Sequence, residues 1–188
     1  YNLEILLQGG NVKKFIIYLL SIGIFGVASI ANSQTIRIGT EGAYPPWNNL
    51  NSAGELEGAE IDFGNEACER MGVTCEWVTQ DWDGIIPALL QGKYDIIIAG
   101  MSITEERKEK VNFTTGYMTD GARFAVLKDS GLADLNIAGM AKVNLNNAGG
   151  KEQAAIGQLI AAMDGKTVCV QSSTIHQNFL EKHMSGAV

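Results

Sequence analysis

The chain has 188 residues, 46% of them hydrophobic and 19% charged, with a formal net charge of −7. That composition is globular rather than disordered, and the length holds one large domain or two small ones. An acidic chain without a Lys/Arg cluster is a poor fit to nucleic acid or to an anionic membrane surface.

Residues 1–11 fit nothing downstream and are expected to be upstream sequence read through in frame. Val12-Lys13-Lys14 then leads into an apolar stretch, Phe15 to Ala31, that ends in Ser29-Ile30-Ala31. Basic residues, an apolar run and small residues where a signal peptidase cuts predict a secretory signal peptide over residues 12–33. The alternative is a membrane anchor. The run sits at the short edge for a span and is interrupted by Ser21, Gly23, Gly26 and Ser29. Val12 stands where an initiator Met belongs, so translation is expected to begin there at a GTG codon.

Thr35-Ile36-Arg37-Ile38-Gly39 alternates apolar and polar and predicts a first strand. Thr40 to Asn49 follows as a loop, because Pro45-Pro46 forbids regular structure. The loop displays Glu41, Tyr44 and Trp47 at the C-terminal end of that strand, the edge where open α/β sheets bind ligands. Trp47 reads as loop packing, Tyr44 less so. A turn at Asn51 to Gly54 leads to a helix from about Ile61 to Met71, with Ile61, Asn65, Cys68 and Gly72 on one side and Gly72 as its stop. Thr74 to Val78 reads as a second strand, Trp82 to Gln91 as a short helix stopped by Gly92, and Tyr94 to Ile98 as a third, buried strand.

Next comes Ala99-Gly100-Met101-Ser102-Ile103-Thr104-Glu105-Glu106-Arg107. Ser102 with Glu105 three residues on is a capping-box pattern, so a helix is expected to start here. A strand that turns through small residues into a helix offers free backbone N–H groups to an anion. Arg107, one turn in, reaches back toward the same place with a guanidinium suited to a carboxylate. Ser102, the helix start and Arg107 are therefore expected to hold the α-carboxylate of an amino acid. The plain alternative is a capped surface helix with a solvated charge run.

Phe113 to Tyr117 reads as loop and Ala122 to Leu127 as a strand. The polar stretch Asn144 to Gly150 reads as loop, and Ile156, Leu159, Ile160 and Met163 form a helical apolar stripe stopped at Gly165. Thr167 to Val170 is expected as a strand that feeds Gln171-Ser172-Ser173-Thr174 into a helix from Ile175 to His183. This repeats the earlier strand-to-helix device, and two such devices facing each other make a cleft. The alternation of strands and helices predicts an α/β fold with parallel-rich sheets. The chain reaches Val188 without further strands, so it is expected to stop inside its second sheet.

Cys68 and Cys75 lie seven apart behind an export signal, which favours a disulfide over two reduced thiols. Cys169, in an apolar run, is expected as a buried free thiol. No Cys/His spacing matches a zinc site, and no nucleophile elbow, phosphate loop or dinucleotide fingerprint occurs. His183 reads as a surface residue; His176 either lines the cleft or is simply exposed on the first helical turn.

These residues resemble the periplasmic solute-binding proteins of polar amino-acid ABC transporters, in the branch that binds lysine/arginine/ornithine, histidine or opines. The motifs are Ile38 to Trp47, Gly58-Ala59-Glu60-Ile61-Asp62, Cys68 to Cys75, Trp82 to Leu89, Ala99 to Arg107 and Gly165 to Thr174, in family order. The resemblance implies a two-lobe, type II periplasmic-binding-protein fold that closes on an amino acid. It implies a first lobe over 34–122, a hinge strand over 123–127 and part of a second lobe over 128–188, with residues 130–164 an insertion. By the same resemblance Arg107 and Ser102 hold the ligand carboxylate, and the backbone of Gly100 approaches the ligand. Tyr44 and Trp82 sandwich the ligand side chain, Glu41 pairs with a basic group, Thr174 donates from the second lobe, and His176 sits in the cleft. Glu41 departs from the shorter aspartate of several relatives, and the acid that binds the ligand amino group would lie beyond Val188. The implied protein is a periplasmic monomer that passes its ligand to an ABC permease in the inner membrane, without cofactor, metal or catalysis. Two other readings stand beside it: the sensing domain of a transmembrane receptor or kinase, and an enzyme like the cyclohexadienyl dehydratases on the same fold.

Overall fold

The computed structural model describes residues 34–135, 137 and 149–185. The expectations for residues 1–33, and for the loop residues 144–148, lie outside the described residues.

Strand β1 (Thr35–Thr40) is the middle strand of a parallel sheet ordered β5-β1-β6. Along β5 (Thr74–Thr79) the register runs from Thr35↔Thr74 to Thr40↔Thr79, and β6 (Ile96–Ile97) pairs with Ile38 and Gly39. Parallel neighbours need crossovers. Helix α1 (Ala59–Met71) supplies the first; a 3-10 turn at Trp82–Gly84 running into α2 (Ile85–Leu90) supplies the second.

The predicted third strand is shorter than Tyr94 to Ile98. Only Ile96–Ile97 is laddered, although the amides of Asp95 and Ile98 still donate to the carbonyls of Arg37 and Gly39. β6 is an edge strand with β1 as its single partner.

The Thr40–Asn49 segment is more regular than expected. Its β2 (Ala43–Tyr44) and β3 (Asn48–Leu50), with β4 (Leu56–Glu57), form a small antiparallel sheet. The Pro45-Pro46 peptide, which is cis, sits in the turn between β2 and β3, where no ladder hydrogen bond is needed.

Helix α1 buries Glu60, Ile61, Gly64 and Cys68, and Gly72 ends it as predicted. Asn65 is exposed, and its amide oxygen accepts the indole N–H of Trp77 at 2.9 Å. Cys68 and Cys75 form the disulfide, stapling the end of α1 to the start of β5 with a Cα–Cα distance of 5.9 Å. One apolar cluster gathers Ile38, Cys68 and Ile98; another gathers Ile85, Ala88, Tyr94 and Ala99. Tyr94 is 1% exposed, and its hydroxyl donates to the Ile85 carbonyl at 2.5 Å.

A separate cluster joins α4 (Gly150–Met163) to α5 (Ile175–His183) through Met163, Leu180 and Met184. The strands expected at Ala122 to Leu127 and Thr167 to Val170 do not form; neither segment has a ladder partner among the described residues. A strand exists only when paired, and apolar content alone does not supply a partner. Leu127 is accordingly 76% exposed. Cys169 is exposed for the same reason, which corrects the buried thiol read from its apolar run. His183 is half-buried instead of on the surface, tilted against Phe179 with ring centroids 5.0 Å apart.

Candidate functional site

All three parallel strands point their C-terminal ends at one place. Glu41 follows β1, Trp82 and Asp83 follow β5, and Gly100 follows β6, so the sheet delivers residues distant in sequence to a single edge.

Around Arg107 the expected geometry is partly met. Its Nη1 donates to the Ser102 carbonyl at 2.8 Å, and its guanidinium lies 5.4 Å from the centroid of the Trp82 ring. Burial lowers the Arg107 pKa, with nearby Glu106 acting the other way. The helix is another matter. α3 (Glu105–Lys108) is one turn of four residues, and its cap is Thr104, whose hydroxyl accepts the Arg107 N–H at 3.2 Å. The Ser102/Glu105 capping box is therefore wrong by two positions. Thr104 is the extended residue that immediately precedes the turn, whereas Ser102 lies outside it. So short a helix contributes little dipole to an anion site, and the guanidinium is the group left to bind one.

Gly100 has φ +59, a conformation that side chains rarely adopt, and a β-carbon there would lie 3.1 Å from Cε1 of Tyr44. Glycine thus lets the Tyr44 ring close directly over the turn. Tyr44 remains 41% exposed, an aromatic face open to a ligand. Trp47 is half-buried, in keeping with packing.

The two halves of the chain meet across this edge. The Gln171 amide donates to Glu41 at 2.6 Å, and the Ser172 hydroxyl lies 2.9 and 3.0 Å from the two Asp83 carboxylate oxygens. The Ser173 carbonyl accepts from Trp82 Nε1 at 3.0 Å and from Arg107 Nη2 at 3.1 Å. Burial pushes the Glu41 pKa up; the Gln171 hydrogen bond opposes this, and the charges of Asp81 and Asp83 add to it. The turn Gln171 to Ser173, which leads into α5, thus faces Glu41, Trp82, Asp83 and Arg107, although the strand expected to feed it is not formed.

Thr174 is 8% exposed and fully engaged: it donates to the Gln171 carbonyl and accepts the Gln177 N–H as the cap of α5. His176 is exposed. A cleft of about 660 Å³ is floored by Ile85, Ile86, Leu90 and Met101 and bounded by Ser173 and Ile175. Trp82 and Arg107 line it; Glu41, Tyr44, Gly100, Ser102, Thr174 and His176 do not, so the predicted set is divided, with Trp82 and Arg107 at the boundary.

Sequence reasoning missed a buried acid that joins three segments. Glu60 is 2% exposed and accepts hydrogen bonds from Asn48 Nδ2 at 2.6 Å, from the Gly100 N–H at 2.7 Å and from the Tyr117 hydroxyl. It appears in a quoted motif, but an acid in the first turn of a helix is ordinary and carries no local signal. Gln171 and Asp83 were missed because their contacts span 130 and 89 positions of sequence.

Residues 36–182 match the family model for bacterial extracellular solute-binding proteins, family 3. The chain belongs to that family. An octopine-binding periplasmic protein of Rhizobium meliloti is 44% identical over 172 residues, which is 90% of this chain and 58% of that protein. The arginine-bound form of truncated ArgBP from T. maritima is 32% identical with a TM-score of 0.61, covering 79% of this chain and 59% of that one. An ancestral amino acid-binding protein, described as a precursor of cyclohexadienyl dehydratase, is 33% identical with a TM-score of 0.66, covering 81% and 59%. The chain thus spans between half and two thirds of the length of these relatives. The fold is the periplasmic-binding-protein fold that the sequence predicted.

Proposed function

We propose that the protein is a periplasmic solute-binding protein that captures a basic amino acid or an opine for an ABC importer and performs no chemistry. In this reading Arg107 and Ser102 hold the ligand carboxylate and the Gly100 backbone approaches the ligand. Tyr44 and Trp82 flank its side chain, Glu41 pairs with its cationic end, and Thr174 and His176 belong to the second lobe's side of the cleft.

The observation that carries the reading is that an arginine and an acid at the same end of the sheet both reach one turn of the far segment. Arg107, stacked on Trp82, reaches Ser173; Glu41 reaches Gln171 two positions away. A zwitterionic ligand with a cationic side chain needs an arginine for its carboxylate, an acid for its cation and aromatic faces between them. The names of the octopine- and arginine-binding relatives agree with that chemistry. Among the described residues no helix is long and apolar enough to cross a membrane. Export through the signal peptide, delivery to a permease and the monomeric state belong to the same proposal.

Calorimetric titration of the intact protein with arginine, lysine, ornithine, histidine and octopine tests it. Saturable binding of at least one of them is expected. Absence of binding to all five would overturn the reading.

A further inference from the structure

We propose that Glu60 is the positioning residue of the cleft: its buried carboxylate fixes the Tyr44 loop and the Gly100 turn at the separation a ligand requires. This rests on the binding-protein reading above.

The connections run through named atoms. Glu60 Oε2 accepts from Asn48 Nδ2, and Asn48 Oδ1 accepts the Gly42 N–H at 2.8 Å, so the carboxylate reaches the loop that carries Glu41 and Tyr44. The Glu60 backbone N–H donates to the Trp47 carbonyl at 2.9 Å, gripping the same loop again. Glu60 Oε1 accepts the N–H of Gly100 and the hydroxyl of Tyr117, whose own ring stacks on Phe63 of α1. One side chain therefore joins loop, turn and the segment that leaves toward residue 117. Burial, and then the bond to Glu60, hold the Tyr117 hydroxyl firmly protonated, so it serves as a donor.

No ion pair among the described residues involves Glu60. Burying a carboxylate without a cation is costly, and an apolar residue would stabilise the interior more simply. What a carboxylate supplies here is acceptor capacity alone: its partners Asn48 Nδ2, Gly100 N–H and Tyr117 hydroxyl all donate to it. Glutamine keeps the shape but turns one acceptor into a donor facing another donor.

The test is ligand affinity of Glu60→Gln, Tyr44→Ala and the double variant in the intact protein, alongside the amide proton resonance of Gly100. Glu60→Gln is expected to weaken binding of arginine, or of whichever of the five compounds binds tightest, about tenfold or more. In the Tyr44→Ala background the same change is expected to cost no more than about twofold, because the wall it positions is gone. The Gly100 amide proton is expected to move upfield when its carboxylate partner is lost. Additive losses, or an unmoved Gly100 resonance, would overturn the proposal. Should Glu60→Gln not fold, Tyr117→Phe removes one donor and leaves the other two; a loss of affinity that vanishes beside Tyr44→Ala supports positioning, and unchanged affinity overturns it. Wild-type protein that binds none of the five compounds overturns the functional reading and the binding role of Glu60 with it. Wild-type binding with unimpaired Glu60→Gln overturns Glu60 alone.

Discussion

The Arg107 guanidinium stacks over the Trp82 indole at 5.4 Å, and both side chains donate to a single carbonyl, that of Ser173. The cation is thereby held in one plane by a ring on one side and an oxygen at its edge. One of its nitrogens, Nη1, is committed to Ser102 as well.

Arg107→Ala is expected to abolish ligand binding. It removes the cation assigned to the carboxylate and leaves that charge unneutralised, a loss of about 2–5 kcal/mol. Arg107→Lys is expected to recover only part of it, since an ammonium neither forks nor stacks as a guanidinium does. Isothermal calorimetry on both variants checks this; undiminished affinity in Arg107→Ala would refute the assignment.

Glu41→Gln should weaken arginine and spare citrulline, its neutral analogue. Equal losses for the two would make Glu41 structural. Its acid–base behaviour gives a second check. Burial raises the folded-state pKa above the ordinary value of 4.5. Stability that Glu41 contributes is therefore fully present below pH 4.5 and is lost as pH rises through the raised folded value. Glu41→Gln should remove this decline. Thermal unfolding of the unliganded protein from pH 4 to pH 7 is the measurement, and the difference between variant and wild type should move in the variant's favour as pH rises.

The Cys68–Cys75 bridge closes a loop of only seven positions, so its effect on the unfolded chain is modest. Reduction, or paired replacement by serine, should cost about 2–3 kcal/mol. Denaturant unfolding with and without reductant measures it.

Thr40 is fully buried, and its hydroxyl has no hydrogen-bond partner among the described residues. An unsatisfied buried hydroxyl costs on the order of 1–3 kcal/mol. Thr40→Val, nearly equal in shape, should raise the unfolding midpoint. A lowered midpoint would show that the hydroxyl is satisfied in solution.

How much of this was readable beforehand depended on the range of the interaction. The period-2 alternation at Ile36 and Ile38, the glycine stop at Gly72 and the helix Ile175–His183 are local patterns, and each appeared where expected. The errors at Ala122–Leu127 and Thr167–Val170 came from mostly apolar runs, β-branched in the second case, which say that a segment suits a ladder but not that a neighbour exists. The cap was misplaced for a related reason: Ser102 and Thr104 are both capping types, serine the better, and the backbone places Thr104 at the helix start. In the site, the stacking of Trp82 on Arg107 joins residues 25 positions apart, whereas Glu60 meets Gly100 across 40 and Tyr117 across 57. A carboxylate that links three distant segments leaves no periodicity to find.

The indole N–H of Trp82 crosses from one half of the chain to the other, while that of Trp77 stays within its own half on Asn65. The protein therefore carries its own optical gauge. A separation of the halves would expose the Trp82 indole to water and shift the protein's emission to longer wavelength, above the background emission of Trp47 and Trp77. Any such movement can be followed in real time, without any attached dye, by stopped-flow fluorescence.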